Sequence, residues 1–442
     1  MKQRFTIPII IIVACWATVT SATSLQLEYD GWQPSSPREE IRPRFAIDRN
    51  GGPDENGAMR IAHDDREGLD GAWARTFEVE GGRHYCITAY CRTTGVANPR
   101  HNTYAELLFH DAKGNLVLNH HTGVQSRPFY PHDVKTDKPG WTKFTGIYRA
   151  PADASHATVR LHLRWERSGT AQWGGVSLVK SPPRTPRKVR LAAANYRPRG
   201  GKTALDNCRQ LEPCVAEAAR RHADLVVLGE CITSVGNSLT HVEVAEPVPG
   251  PSTDYLAKLA GKYKLHIVTT LHERVGHLIH NTAVLLSPEG KLLGKYRKVC
   301  LARGEYRKGI APGREFPVFD TAIGRIGMMI CFDVHMPEVA RGLAANGAEI
   351  IALPIMGGHP DLATARAIEN QVYLVTSTYS VNDDWMQTGV WGLSGDLVVR
   401  ATENDSVVVA EVDLSAQYFW RANMGDFKSR LRHERPDVVL PK

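Results

Sequence analysis

The stretch Ala348-Glu349-Ile350-Ile351-Ala352-Leu353-Pro354 decides how the larger part of the chain folds. The unbroken apolar run Ile350 to Leu353 lacks the polar alternation of a sheet with one wet face. It predicts a short strand covered on both sides. Its neighbours agree. Pro337 to Gly347 (PEVARGLAANG) reads as a helix, with Pro337 at the first helical position and Gly347 as its C-terminal cap. Ala363 to Gln371 (ATARAIENQ) reads as the next helix, and Val372 to Ser380 (VYLVTSTYS) as the next strand. Upstream the alternation continues. Val189 to Tyr196 is a strand, a helical stretch lies around Val215 to His222, and Asp224 to Leu228 is another buried strand. Tyr255 to Lys264 precedes the strand His266 to Arg274, and the runs from Asn281 and Lys291 form a hairpin around Glu289-Gly290. Strands alternating with helices predict an α/β layered domain.

The chain of 442 residues is too long for this domain alone. Ser181 to Lys188 (SPPRTPRK) holds three prolines in eight residues, which suits neither a helix nor a central strand, so it reads as a semi-rigid linker. Before it the pattern is different: GAWARTFEVEGG, HYCITAYCRTT, TYAELLFHDAKGNLVL, GWTKFTGIYRAP and HATVRLHLRW are short alternating runs punctuated by glycine. In the last, Val159, Leu161, Leu163 and Trp165 are expected on one face. Many short strands at this spacing predict an antiparallel sandwich or jelly roll. The expected organisation is a signal peptide over 1–22, a β-sandwich over 25–181, a linker over 182–188 and the α/β domain over 189–442.

With its Trp73- and Trp141-containing strands, its Asp111 to Gly114 turn and the closing Trp173 to Leu178 run, the first unit resembles jelly-roll carbohydrate-binding and galactose-binding-like modules. The resemblance implies a carbohydrate ligand held on exposed aromatic rings, with tryptophans buried in the core as the competing reading. The loop Asp48 to Gly57 (DRNGGPDENG) is a plain turn or, through its carboxylates, a calcium loop.

Lys2 and Arg4, the apolar run Ile7 to Val13 and the small residues Thr20-Ser21-Ala22 make an export signal cleaved before Thr23. A competing reading takes Ile12-Val13-Ala14-Cys15 as a lipobox with Cys15 lipidated, so the expected location is periplasmic or secreted. Beyond Cys15, seven cysteines remain, an odd number that leaves at least one unpaired within the chain. Cys208 and Cys214 could close a small disulfide loop, with the pairing left open, whereas Cys86 and Cys91 should point to opposite faces of one strand. No cysteine or histidine cluster has zinc spacing. The net charge of +7 comes from scattered basic residues, which argues against a nucleic-acid partner.

Three chemistry-bearing residues end buried strands of the second unit: Glu230 after Leu225–Leu228, Lys298 after the hairpin strand and Cys331 after IGMMI. A carboxylate, an ammonium and a thiol at strand ends can meet at one rim of a sheet. Around them, Ala223 to Glu230, Asn281 to Val284 with Gly294 to Lys298, Gly327 to Asp333, Gly347 to Ile351, and Ala365-Arg366-Ala367 with Glu369-Asn370 resemble the nitrilase (carbon–nitrogen hydrolase) superfamily over about 189–442.

The resemblance implies a four-layer αββα sandwich, a Glu230–Lys298–Cys331 triad, a second glutamate at Glu305 and a homo-oligomer. It departs from the family pattern at Cys300, where many relatives have histidine, and at Phe332, in place of the usual tyrosine. Opening an amide requires a thiolate nucleophile and a base to make it. Glu230 is the candidate base and acid, and Lys298 the stabiliser of thiolate and oxyanion. The Phe332 backbone N–H is the second oxyanion donor, and Glu305 orients Lys298 or the departing amine. No metal or organic cofactor is required by this chemistry. The implied reaction is thioester-mediated hydrolysis of a small linear amide or N-carbamoyl compound. An N-acyltransferase or nitrilase using the same residues, and a mainly glycan-binding protein with an inactive hydrolase domain, stand as alternatives. Gly357-Gly358-His359 follows where substrate-lining residues would lie, and His359 is either a ligand contact or a helix cap.

Overall fold

The computed structural model describes residues 29–416 apart from 120–123, 126–127, 135 and 383, together with the backbone of Phe419–Trp420 and Gly425–Asp426. The export signal and Cys15 lie outside the described residues. Among the described residues, no helix is long and apolar enough to cross a membrane.

Residues before the proline-rich segment form two antiparallel sheets. One has four strands in the order Gln33–Ser35, Asp70–Glu78, His156–Arg164, Thr103–His110. The other has six: Arg44–Asp48, Ala58–Asp64, Ser168–Lys180, His84–Thr94, Thr142–Arg149, His132–Val134. Both sheets send side chains into one core built on Ile61, Trp73, Ile87, Leu107, Phe109, Leu161, Leu163 and Trp173. Alternation explains who is inside. On His84–Thr94, Tyr85, Ile87, Ala89 and Cys91 are buried while Cys86 faces the other way. On His156–Arg164, Val159, Leu161 and Leu163 line the core as expected. Trp165 does not join them. The strand ends at Arg164, Trp165 turns out at φ +60°, and its ring lies 3.8 Å below the Arg164 guanidinium. Trp73 and Trp173 are wholly buried, which removes both from any sugar-binding surface; half-buried Trp141 lies beneath Arg92. In the Asp48–Gly57 loop two of the three carboxylates are engaged, Asp48 by the Asn50 N–H and Asp54 by Lys138.

From Lys188 onward the chain builds two further six-stranded sheets. The first runs Leu292–Arg297, Leu278–Leu286, His266–Val275, Leu225–Val227, Lys188–Asn195, Ser406–Asp413, with its central pairs parallel. The second runs Val318–Thr321, Gly324–Met328, Ile350–Pro354, Tyr373–Ser377, Gly389–Trp391, Leu397–Arg400. Strand Lys188–Asn195 shows why they stack. Its Val189, Leu191 and Ala193 pack toward Met328, Ile351 and Leu374 of the second sheet, whereas Ala192 and Ala194 pack against helical residues Cys208, Val215 and Leu256. Val339, Leu343, Ala363 and Ala367, from helices Pro337–Ala345 and Pro360–Asn370, cover the second sheet's outer face. The layers are therefore helix, sheet, sheet, helix, and central strands such as Ile350–Pro354 are apolar throughout because both faces are covered.

Two local expectations are corrected. Cys208 and Cys214 do not pair. They sit on consecutive short helices, Ala204–Arg209 and Glu212–Arg220, where both thiols are buried in the helix–sheet core and burial pushes each up to about 12. The helix expected from Ala363 starts earlier, at Pro360, because His359 Nδ1 accepts the Asp361 N–H at 3.3 Å. His359 is a helix cap.

Buried Glu273, on strand His266–Val275, accepts Thr282 Oγ1 at 2.9 Å, Lys295 Nζ at 2.5 Å and Arg297 Nε at 2.8 Å. Burial alone would raise its pKa, but Arg297, Lys295 and Thr282 outweigh burial and bring it down to about 2. In the unfolded chain a glutamate titrates near ~4.3. The folded form therefore gains stability from this group above that value and loses it as pH falls toward 2. Chemical-denaturation midpoints measured from pH 6 down to 2.5 should fall steeply in the wild type and more gently in Glu273→Gln. Parallel slopes would rule the network out as a source of acid sensitivity.

Candidate active site

Glu230 lies three residues past the central strand Leu225–Val227, where the Leu228 N–H is still tied to the Val268 carbonyl. The residue is 2 % exposed and its side chain is fully engaged. Oε1 accepts Asn281 Nδ2 at 2.9 Å and Lys298 Nζ at 3.2 Å, and Oε2 accepts the Met356 N–H at 3.0 Å. The Tyr379 hydroxyl donates to the Glu230 carbonyl, and its ring occupies the space that a side chain at position 229 would need, which is why glycine stands there.

Lys298 follows strand Leu292–Arg297 and is 1 % exposed. Its N–H donates to the Asn281 carbonyl at 2.9 Å, which fixes its backbone to the neighbouring strand. Nζ lies 2.7 Å from Glu305 Oε2 and 3.2 Å from Glu230 Oε1. Burial would lower the ammonium's pKa, but Glu230, Cys331 and Glu305 outweigh burial and raise it, so Lys298 carries its charge. Glu305 sits in the one-turn helix Arg303–Tyr306, with Oε2 accepting the Ala302 N–H at 2.8 Å and Oε1 accepting Asn281 Nδ2 at 2.9 Å. It is not a stray surface carboxylate.

Cys331 opens the 3-10 turn Cys331–His335 just beyond strand Gly324–Met328. Its φ of +43° is a conformation that side-chain-bearing residues rarely adopt. The turn lifts the sulfur out of the strand direction, and the thiol reaches the Glu230 carboxylate and the Met356 N–H. Burial, then the Glu230 charge, pushes the thiol up, with Lys298 opposing. At rest the sulfur is therefore protonated, and a thiol in this state needs a base to take its proton before it can act as a nucleophile. Phe332 follows in the same turn, its ring stacked on His335 with centroids 4.7 Å apart. The Cys300 thiol bonds to the Asp333 carboxylate. The Cys300 N–H donates to Asp333 Oδ1 at 2.8 Å.

Glu230, Lys298, Glu305 and Cys331 thus converge, although hydrogen-bonded partners at the site lie up to 149 residues apart. Asn281 is the residue whose role the sequence did not reveal. It belongs to a segment singled out as family-like, but only the tertiary contact shows one amide donating to both carboxylates. Tyr379 and Met356 escaped notice because each contributes through the backbone of, or to, Glu230. A cavity of about 580 Å³ lies elsewhere, between the N-terminal six-stranded sheet and the second unit, lined by Arg100, Asp133, Arg187, Arg325 and Glu349. Among the described residues, no group of three or more histidine, cysteine or acidic side chains is arranged to hold a metal ion.

The carbon–nitrogen hydrolase family model matches residues 190–422. Among curated proteins, the chain is 31 % identical over 231 residues to omega-amidase NIT2-A of Xenopus laevis, covering 47 % of this chain and 83 % of that protein. It is 35 % identical over 221 residues to a nitrilase of Pyrococcus abyssi, covering 47 % and 84 %. Among solved structures, Saccharomyces cerevisiae Nit3, a member of branch 10 of the nitrilase superfamily, aligns with a TM-score of 0.46 and 25 % identity over 53 % of this chain and 93 % of that one. The protein acts on carbon–nitrogen bonds other than peptide bonds, and the chain belongs to the carbon–nitrogen hydrolase family.

Proposed function

We propose that the chain hydrolyses a small linear amide or N-carbamoyl compound through a thioester on Cys331. The observation that carries this reading is the charged contact of Lys298 with both Glu230 and Glu305, beside a thiol within reach of Glu230. In the first half-reaction Glu230 takes the thiol proton as sulfur attacks the carbonyl carbon. The oxyanion forms against the Phe332 N–H and Lys298 Nζ, the latter held by two carboxylates before the charge develops. The C–N bond then breaks as the protonated Glu230 gives its proton to the departing amine. In the second half-reaction Glu230 draws a proton from water, whose oxygen attacks the thioester carbon. The C–S bond breaks, the acid leaves, and the thiol is restored. Glu305 and Asn281 keep Lys298 and Glu230 in place between the two halves.

That several relatives are named omega-amidase supports an amide rather than a nitrile as the substrate of this chain. Ammonia release assayed against linear primary amides, ureido acids and nitriles should be fastest for amides or ureido acids. Release from nitriles alone, or acyl transfer to an added amine with no hydrolysis, would overturn the assignment. For the first unit we propose a jelly-roll module appended to an exported enzyme. Its two antiparallel sheets around one core support the module, with Trp141 rather than Trp73 or Trp173 as an aromatic available to a sugar.

A further inference from the structure

We infer that Asp333 is a positioning residue that holds the Lys298 segment and the Cys331 turn in register across the two sheets. The inference rests on the hydrolase reading of Glu230, Lys298 and Cys331 above. Lys298 follows an edge strand of the first sheet, Leu292–Arg297, while Cys331 follows Gly324–Met328 of the second. Strand pairing cannot set one relative to the other, because no ladder joins the two sheets. The Asp333 carboxylate spans the gap.

Asp333 is 0 % exposed, and both its oxygens are engaged from two directions. Oδ2 accepts the Tyr296 hydroxyl at 2.8 Å and the Ile330 N–H at 2.9 Å, and Oδ1 accepts the Cys300 N–H at 2.8 Å. Tyr296 stands two residues before Lys298 and Cys300 two residues after it, so the lysine is flanked on both sides. Ile330 immediately precedes Cys331. The Asp333 N–H returns a bond to the Ile330 carbonyl at 3.0 Å, clamping the turn in which Cys331 holds its positive φ. The Ile330 and Cys300 N–H groups can only donate, and an ionised carboxylate accepts from both while also taking the Tyr296 hydroxyl. Burial raises the Asp333 pKa to about 6, against its three donors and the Lys298 ammonium, which leaves the acceptor-only form in place at neutral pH. An asparagine has one oxygen, and its NH₂ would face another donor.

Asp333→Asn and Tyr296→Phe, made in the full chain, test this. Each variant is assayed for kcat and KM on the best amide, for thermal unfolding, and for the rate at which iodoacetamide alkylates Cys331, read on the Cys331 peptide by mass spectrometry. Asp333→Asn should lower kcat about 10²-fold with KM within about threefold of wild type, the signature of misplaced reacting groups. Tyr296→Phe, which leaves both N–H bonds, should lower kcat about 10-fold. Alkylation of Cys331 should change in the same order. Wild-type kcat and alkylation in folded Asp333→Asn would overturn the inference, as would a loss that merely follows the unfolded fraction. If Asp333→Asn does not fold, Tyr296→Phe decides on the same two readouts. Alkylation needs no turnover, so it reports on Asp333 even if Cys331→Ala were to retain activity and the hydrolase reading itself fell.

Discussion

Cys331→Ala should lose at least about 10⁴-fold in kcat while unfolding within a few degrees of the wild type, because a nucleophile and its base act as a unit and removing one forfeits most of the shared rate. The structure explains why stability should survive. The sulfur is a small group at the start of a turn, and that turn is held by Asp333 and by backbone bonds that alanine leaves untouched. Glu230 keeps Asn281, Lys298 and Met356 as partners, so no buried charge is orphaned. The experiment pairs ammonia release with calorimetry and with mass spectrometry of the protein after rapid quench on substrate. The wild type should carry an acyl adduct on Cys331 and the variant none. Turnover within tenfold of wild type in Cys331→Ala would end the thioester mechanism.

Lys298→Met should cost both activity and stability, which separates it from the cysteine change. Lys298 is 1 % exposed and is the cation shared by Glu230 and Glu305. Methionine fills the volume but leaves two carboxylates facing each other through Asn281, Glu230 almost wholly buried and Glu305 partly so. Breaking a buried pair by deleting one partner typically costs about 3–5 kcal/mol. Losing the oxyanion's cation costs about 10²–10³-fold more in kcat.

Urea midpoints of the variant and the wild type at pH 8 check the stability loss, and ammonia release checks the loss of rate. A variant as stable as wild type at pH 8 and still active would show that Lys298 is a bystander.

Much of this architecture was legible because it depends on local period. Alternation on His156–Arg164 put Val159, Leu161 and Leu163 inside, and unbroken apolar runs such as Ile350–Leu353 marked strands covered on both faces. Where an element ended early, the pattern misled. Trp165 has the right spacing for the core face, but the backbone turns before it, and spacing carries no information about where a strand stops. The short helix Ala204–Arg209 offers too few residues to show a period. Its cysteine reads as a disulfide half only until the helix is seen to point it into the core.

The chain's residues alone determined which groups could do the chemistry, since nucleophile, base and cation are properties of side-chain type. They also set the strand ends that carry those groups, because burial on two faces leaves an unmistakable apolar run. Tertiary structure decided who meets whom. Asn281 between two carboxylates, Glu305 against Lys298, and Asp333 across the sheet–sheet boundary are contacts between segments with no common ladder or with long stretches of chain between them. Local periodicity says nothing about such pairs. They exist because two sheets stack face to face and their edges come to rest at one place.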